Sequence, residues 1–275
     1  MTQPSWLKPI EAPVDRDASY VSVQSVSKIY KTRNGDVKAV EHADFDIEEG
    51  DFVSLVGPSG CGKTTLMSII GGLEPATRGR IFVAGNEVSV PRPDFGYVFQ
   101  DATLLPWKNV MDNVLFPIRI QKRPIEQYRE EAEKLLRLTG LWDSIDKHPS
   151  ELSGGMRQRV AICRGLINDP RLLMMDEPFS ALDAITRDDM NVALNRLWDD
   201  VRKTAVFITH NIREAVFLSD RVLVITSQPA KIIADIRVPF QRPRRIEAQE
   251  DPVFNEICSF IRERIHESHE KHTAV

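Results

Sequence analysis

The stretch Gly57 to Thr65, GPSGCGKTT, fits the spacing G-x-x-x-x-G-K-[ST] of a phosphate-binding loop, with Gly57, Gly62, Lys63 and Thr64 at the defining positions. The chemistry requires those types. Glycines let successive backbone N–H groups turn inward around phosphate oxygens with no Cβ in the way. Lys63 adds a cation that reaches the β- and γ-phosphates, and the Thr64 hydroxyl is a ligand for Mg2+. A helix opening after Gly62 points its N-terminus at the same anions. Pro58, Ser59, Gly60, Cys61 and Thr65 complete the ATP-binding stretch. Cys61 lies at that helix N-terminus, which predicts a lowered thiol pKa and a reactivity that bound ATP suppresses. The glycines run G-x-x-G-x-G rather than G-x-G-x-x-G, which disfavours a dinucleotide fold.

A loop of this kind needs a strand before it and a helix after it. SLVG reads as a buried strand and LMSIIGGL as an apolar helix. Upstream, YVSVQSVSKIY (20–30) alternates Val21, Val23 and Val26 with polar residues, Asn34-Gly35-Asp36 signals a hairpin, and VKAVEHADFDIEEG continues as a second alternating strand. Downstream, RIFVAGNEV returns to strand and turn, and FGYVFQ (95–100) is a strand that delivers Gln100. From Asn109 to Gly140 the period turns helical, with Ile125, Tyr128, Ala132, Leu135 and Leu136 on one face. Ser153-Gly154-Gly155 opens the helix MRQRVAICRGLI. RLLMMDEP is a buried strand with Asp176 and Glu177 at its C-terminal tip. Two adjacent acids there point in different directions, so one can face a metal while the other polarises water.

Met190, Ala193, Leu194, Leu197, Trp198 and Val201 mark an amphipathic helix, TAVFITH a strand ending at His210, IREAVFLS a helix and RVLVIT a last core strand. Strands alternating with helices, and active residues at strand C-termini, give a largely parallel α/β core. The expected organisation is an extended arm over 1–19 and a main domain over 20–230, interrupted by an inserted helical subdomain at about 101–158. A Pro/Arg-rich tail with a terminal helix, FNEICSFIRERIHE, then fills 231–275.

The 275 residues are 42% hydrophobic and 28% charged, ordinary for a globular protein, and the net charge of -4 argues against a dedicated nucleic-acid binder. No apolar run approaches a membrane span and the polar N-terminus has no signal-peptide core, so a cytoplasmic location is expected. Cys61, Cys163 and Cys258 are widely spaced and read as isolated reduced thiols.

Together these residues resemble an ATP-binding cassette (ABC) ATPase, the nucleotide-hydrolysing subunit of a transporter, over roughly Tyr20 to Thr226 with the motifs in order. The resemblance implies a P-loop NTPase core with an N-terminal antiparallel β layer and a helical insertion. RLLMMDE is similar to the Walker B strand, so Asp176 would hold Mg2+ and Glu177 would be the general base. LSGGMRQR is similar to the ABC signature, with Met156 where the commoner pattern has Gln. Ser153, Gly154 and Gly155 would then serve the γ-phosphate bound by an opposed subunit. Gln100 resembles the Q-loop glutamine near Mg2+ or the attacking water, His210 the switch histidine, Asp183 in SALD the D-loop, and Tyr30 the aromatic that stacks on adenine.

The implied cofactors are ATP and Mg2+, and the implied partners are a second copy arranged head to tail and transmembrane permease subunits. An extracytoplasmic solute-binding protein acts indirectly, and no nucleic acid is expected. That places the chain peripherally on the cytoplasmic face of the inner membrane. FGYVFQDATLLPW, NVMDNVLFP and VPFQRPRR look like the nitrate/sulfonate/taurine importer group. Rival readings are a related exporter or lipid/metabolite transporter, a soluble ABC ATPase acting on DNA or ribosomes, and a nucleotide-binding scaffold. The last is opposed by the intact Glu177 and His210, and the soluble class needs tandem cassettes or long heptads that this chain lacks. Arg242, Arg244 and Arg245 read as a solvated connection or a contact with lipid or the membrane subunit. Phe99, Trp107 and Phe116 read as core or as a groove for a coupling helix.

Overall fold

Val21, Val23 and Val26 cannot all face one way on a regular strand, because the last step is three residues. The computed structural model resolves this with a bulge. In β2 (Val21–Thr32) the pairing register shifts between Val23 and Val26, and Ser25 sits at φ 50°. Both the Ser25 amide and its hydroxyl donate to Asp44. All three valines are thereby buried. The structure describes residues 4–8, 19–33, 35–226 and 228–273; Asn34 of the hairpin signal lies outside them.

The chain divides into two units, Met1–Arg92 with Thr204–Val275, and Pro93–Lys203. In the first, β2 pairs with β3 (Gly35–Ile47) and β5 (Arg78–Val83), and β5 with β6 (Asn86–Glu87), all antiparallel. Its other sheet runs in the order β1 (Leu7–Lys8), β11 (Ile232–Arg237), β10 (Arg221–Ile225), β4 (Phe52–Val56), β9 (Thr204–Thr209). Of these, β10, β4 and β9 are parallel and every residue of them is buried. Such strands carry continuous apolar runs because both faces are covered. Helices α1 (Lys63–Ile70), α7 (Ile212–Leu218) and α8 (Pro252–Thr273) belong to this unit.

Three expectations change here. The extended arm is also built into the sheet: β1 pairs antiparallel with β11, and Trp6 is buried with its ring edge-on to Phe260 at 5.2 Å. Residues 1–3 and 9–18 of that arm lie outside the described residues. RVLVIT is not the last core strand, since β11 continues the sheet past residue 230. Arg221 secures that hairpin with a buried bidentate pair to Asp235, at 2.7 and 2.6 Å.

Third, two of the tail arginines are not solvated. Arg244 is 5% exposed and donates to Phe217 O at 2.9 Å and to Phe240 O, with Asp220 beside it. Arg242 reaches Asp220 and Leu218 O, while Arg245 is exposed. The two guanidinium groups thus take up carbonyls at the end of α7, groups that a helix C-terminus leaves without internal donors. Asp220 in turn accepts from Phe52 N, the first residue of β4. Arg244→Met is therefore expected to lower the unfolding free energy by about 2–4 kcal/mol. Arg245→Met should change it by less than about 0.5 kcal/mol. Equal denaturant midpoints for the two variants would refute this account.

In the second unit, β7 (Phe95–Val98) and β8 (Leu172–Asp176) pair in parallel. The helices are α2 (Val110–Val114), α3 (Phe116–Ile120), α4 (Glu126–Leu138), α5 (Gly154–Leu166) and α6 (Ala184–Val201). The buried face of α4 holds Ala132, Leu135 and Leu136, as its period predicts. Asn113 is fully buried and ties the preceding loop through Leu105 N and the carbonyls of Leu105, Lys108 and Asn109.

Candidate active site

In the first unit, β4 runs straight into the loop Gly57–Thr65, and the glycines there are structural necessities. A Cβ on Gly57 would meet Ile225 O at 2.6 Å. Gly62 has φ 109°, and a Cβ on it would meet Ala39 O at 2.4 Å. Lys63 is 3% exposed and its Nζ donates to Gly57 O at 2.9 Å and Pro58 O at 2.7 Å. The cation is thus folded back over the loop rather than extended into solvent, and the Thr64 side of the helix start is exposed.

Cys61 departs from expectation. It is buried, and burial raises the thiol pKa, with the Lys63 charge pulling it the other way without winning. The helix N-terminus and the cation favour a thiolate, but desolvation is the larger effect. Cys163 and Cys258 are also buried free thiols, pushed up to about 12 and about 11 by burial.

Tyr30 lies on β2 with 36% of its surface exposed, and Lys28 Nζ sits 4.8 Å from its ring centroid. Lys28 is held there by Glu74 at 2.9 Å and Pro75 O at 2.8 Å. An aromatic face left open on a fixed strand suits stacking on a planar base. His210 follows β9 and is exposed. Its neighbours are pinned: Asn211 N-caps α7, and the Thr209 hydroxyl meets both Asn211 N and the Glu214 carboxylate.

In the second unit, Asp176 ends β8 and Glu177 follows it, both half-buried. Glu177 has φ 42°, the left-handed region that non-glycine residues rarely adopt. The turn is closed by Ser180 N on Glu177 O at 3.1 Å and anchored by buried Phe179. Backbone held in such a region marks a site where the surroundings dictate the geometry. Ser153 N-caps α5, accepting from Met156 N at 3.3 Å, and Ser153 and Gly154 are exposed. Gly155 is buried, where a Cβ would come within 3.0 Å of Thr186. Asp183 is exposed and N-caps α6; bonds from the Thr186 amide and hydroxyl hold its carboxyl below the usual range. Gln100 is exposed just past β7.

Some residues around these positions have no motif signal. Arg187 holds the turn before Asp183 through Phe179 O at 3.3 Å and Leu182 O at 2.7 Å. Its only sequence cue is a position one helical turn after Asp183. Phe99 and Trp107 stay 45% and 69% exposed, so they are not core, whereas Phe116 is half-buried.

Residues 40–180 match the family model described as ABC transporter. This chain belongs to the ABC transporter family. The bicarbonate transport ATP-binding protein CmpD of Synechocystis is 39% identical over 258 residues, covering 92% of this chain and 91% of the relative. The taurine import ATP-binding protein TauB of Ruegeria pomeroyi is 42% identical over 223 residues, covering 81% and 83%. Among solved structures, a dimeric post-hydrolysis ATP-binding cassette bound to ADP and Pi aligns with a TM-score of 0.69 at 30% identity. It covers 80% of this chain and all of the cassette's own length, which is 100%. The fold is that of an ABC ATPase: a P-loop NTPase core, an N-terminal antiparallel β layer and a helical subdomain, and the enzyme is an ATPase.

Proposed function

We propose that this ABC ATPase is the motor subunit of an importer for a small oxyanion, working as a head-to-tail pair on the cytoplasmic face of a membrane. The carrying observation is the exposure of Ser153 and Gly154 at the N-terminus of α5. That end presents a hydroxyl and backbone N–H groups outward, an anion-binding surface for nucleotide held by a second copy. The dimeric cassette with ADP and Pi supports the pairing. No described helix is long and apolar enough to cross a membrane, so transport needs permease subunits. The solute class follows the relatives: bicarbonate and the sulfonate of taurine are both small oxyanions.

Within the site, the loop amides and Lys63 bind the ATP phosphates, and Tyr30 stacks on the adenine. Thr64, Asp176 and Gln100 are hard oxygen donors suited to Mg2+, a metal that binds through one or two carboxylates, here Asp176, and fills the rest of its shell largely with water and phosphate. When bound, Mg2+ supplies neutralisation of the charge on the phosphates. Glu177 accepts the proton of the attacking water, and His210 with Ser153 of the second copy stabilises the transferring phosphoryl group. Asp183 lies at the interface between copies.

Affinity purification of the tagged chain from gently solubilised membranes, with partners identified by mass spectrometry, tests this reading. The expected partners are a permease and, after crosslinking, an extracytoplasmic solute-binding protein that binds bicarbonate, nitrate or a sulfonate. A partner set of ribosomal or DNA-repair proteins, or an exporter permease with no binding protein, would sink it.

A further inference from the structure

In the segment that follows β7, the carbonyls of Phe99, Ala102 and Thr103 accept from side chains of a single helix. Gln158 Nε2 donates to Phe99 O at 3.1 Å. Arg164 donates to Ala102 O at 2.7 Å, to Thr103 O at 2.9 Å and to Thr103 Oγ1 at 3.2 Å. The two donors are separated on α5 by a rise of about 9 Å, and Phe99 to Ala102 spans about the same length when extended. The segment therefore runs alongside the helix, gripped at both ends, with Gln100 between the grips.

Two independent features show that this is a fitted contact. A Cβ on Gly96 of β7 would meet Gly165 O at 2.5 Å, so strand and helix touch backbone to backbone. Thr103 is a β-branched residue at φ 43°, a conformation that persists only where its surroundings impose it. Arg164 supplies that constraint by holding both its carbonyl and its hydroxyl.

We propose that Gln158 and Arg164 are positioning residues that splint the 99–103 segment to α5, so that Gln100 and Ser153-Gly154-Gly155 move as one body. The consequence for turnover rests on the ATPase reading; the splint itself does not. A permease pressing on the segment would then shift the anion-binding end of the same helix, instead of bending a loose loop. Neither side chain needs to touch nucleotide.

Hydrogen exchange on the full-length protein, read beside steady-state kinetics, tests the splint. In Arg164→Ala the amides of 100–106 should exchange about tenfold faster or more, while those inside α5 keep their protection. The kcat for ATP should fall about tenfold with KM within about twofold, since the loss lies in assembly of the site and not in binding. Arg164→Lys should recover only part of both effects, because an ammonium cannot reproduce the planar fork. Gln158→Ala, a second variant should the first fold poorly, should shift both readouts in the same direction by less. Unchanged exchange at 100–106 would overturn the proposal. So would faster exchange along the whole of α5, or faster exchange at 100–106 with kcat unaltered. If the wild-type protein failed to hydrolyse ATP, the function assigned above would fall while the exchange arm still decided the splint.

Discussion

Glu177→Gln is expected to bind ATP as the wild type does and to hydrolyse it about 100- to 10,000-fold more slowly, the range lost when a positioned general base is removed. The substitution isolates the chemistry because it leaves the geometry alone. Glu177 sits in the left-handed region at φ 42°, between the half-buried end of β8 and buried Phe179. Gln has the same branching and length, so the same turn is retained and only the charge and basicity disappear. The binding half of the cycle should survive. With ATP bound and hydrolysis blocked, two copies should stay clamped, each contributing Ser153 and Gly154 to the other's nucleotide. Light scattering with ATP should therefore show a dimer for the variant, while phosphate release reads the lost rate. Near-normal hydrolysis would remove Glu177 from the role, and a monomer saturated with ATP would remove the shared site.

What could be read from the sequence divides along a physical line. Features set by local chemistry were legible: the glycine loop that follows β4, the apolar runs of β4, β8, β9 and β10, and the 3.6 period of α4. Features set by distant backbone were not. Arg242 and Arg244 look like any charged residues in a Pro-rich stretch, because their partners are the carbonyls of Phe217 and Leu218 and the carboxylate of Asp220. Nothing in the pattern of a residue reveals that a helix end needs donors from elsewhere. The two-residue β1 has no period to detect, and Trp6 packs against Phe260 of α8, far along the chain.

Cys61 shows a different failure. Two local cues, a helix N-terminus and an adjacent lysine, favour the thiolate, and both are present. They lose because the loop that brings them together also excludes water from the sulfur. Gln158 and Arg164 illustrate a third. On α5 they pass for ordinary polar positions of a signature helix, and only the course of the 99–103 segment gives them work. Motifs name the atoms that meet the ligand; the groups that hold those atoms are spread wherever the fold brings a donor near a carbonyl.

The second large effect is expected at Lys63. Lys63→Ala should weaken ATP binding about 10- to 100-fold or more, since a hydrogen bond to a charged group contributes about 1.5–3 kcal/mol and each 1.4 kcal/mol is a factor of ten. The ammonium is engaged by Gly57 O at 2.9 Å and Pro58 O at 2.7 Å, in a slot that leaves the residue 3% exposed. Those bonds keep a cation desolvated and aimed along the loop, so less conformational freedom remains to be lost when phosphate arrives. Truncation thus removes the charge and also leaves two loop carbonyls to find other donors. Calorimetry of ATP binding separates this variant from Glu177→Gln: here affinity falls and the clamped dimer does not accumulate, whereas there affinity holds and the dimer does. Lys63→Arg should also weaken binding, because a planar guanidinium cannot stand in for the compact ammonium that bridges Gly57 O and Pro58 O. An ATP affinity unaltered in Lys63→Ala would mean that the amides of Gly60 to Thr65 bind phosphate alone, and the lysine would lose its place in the site.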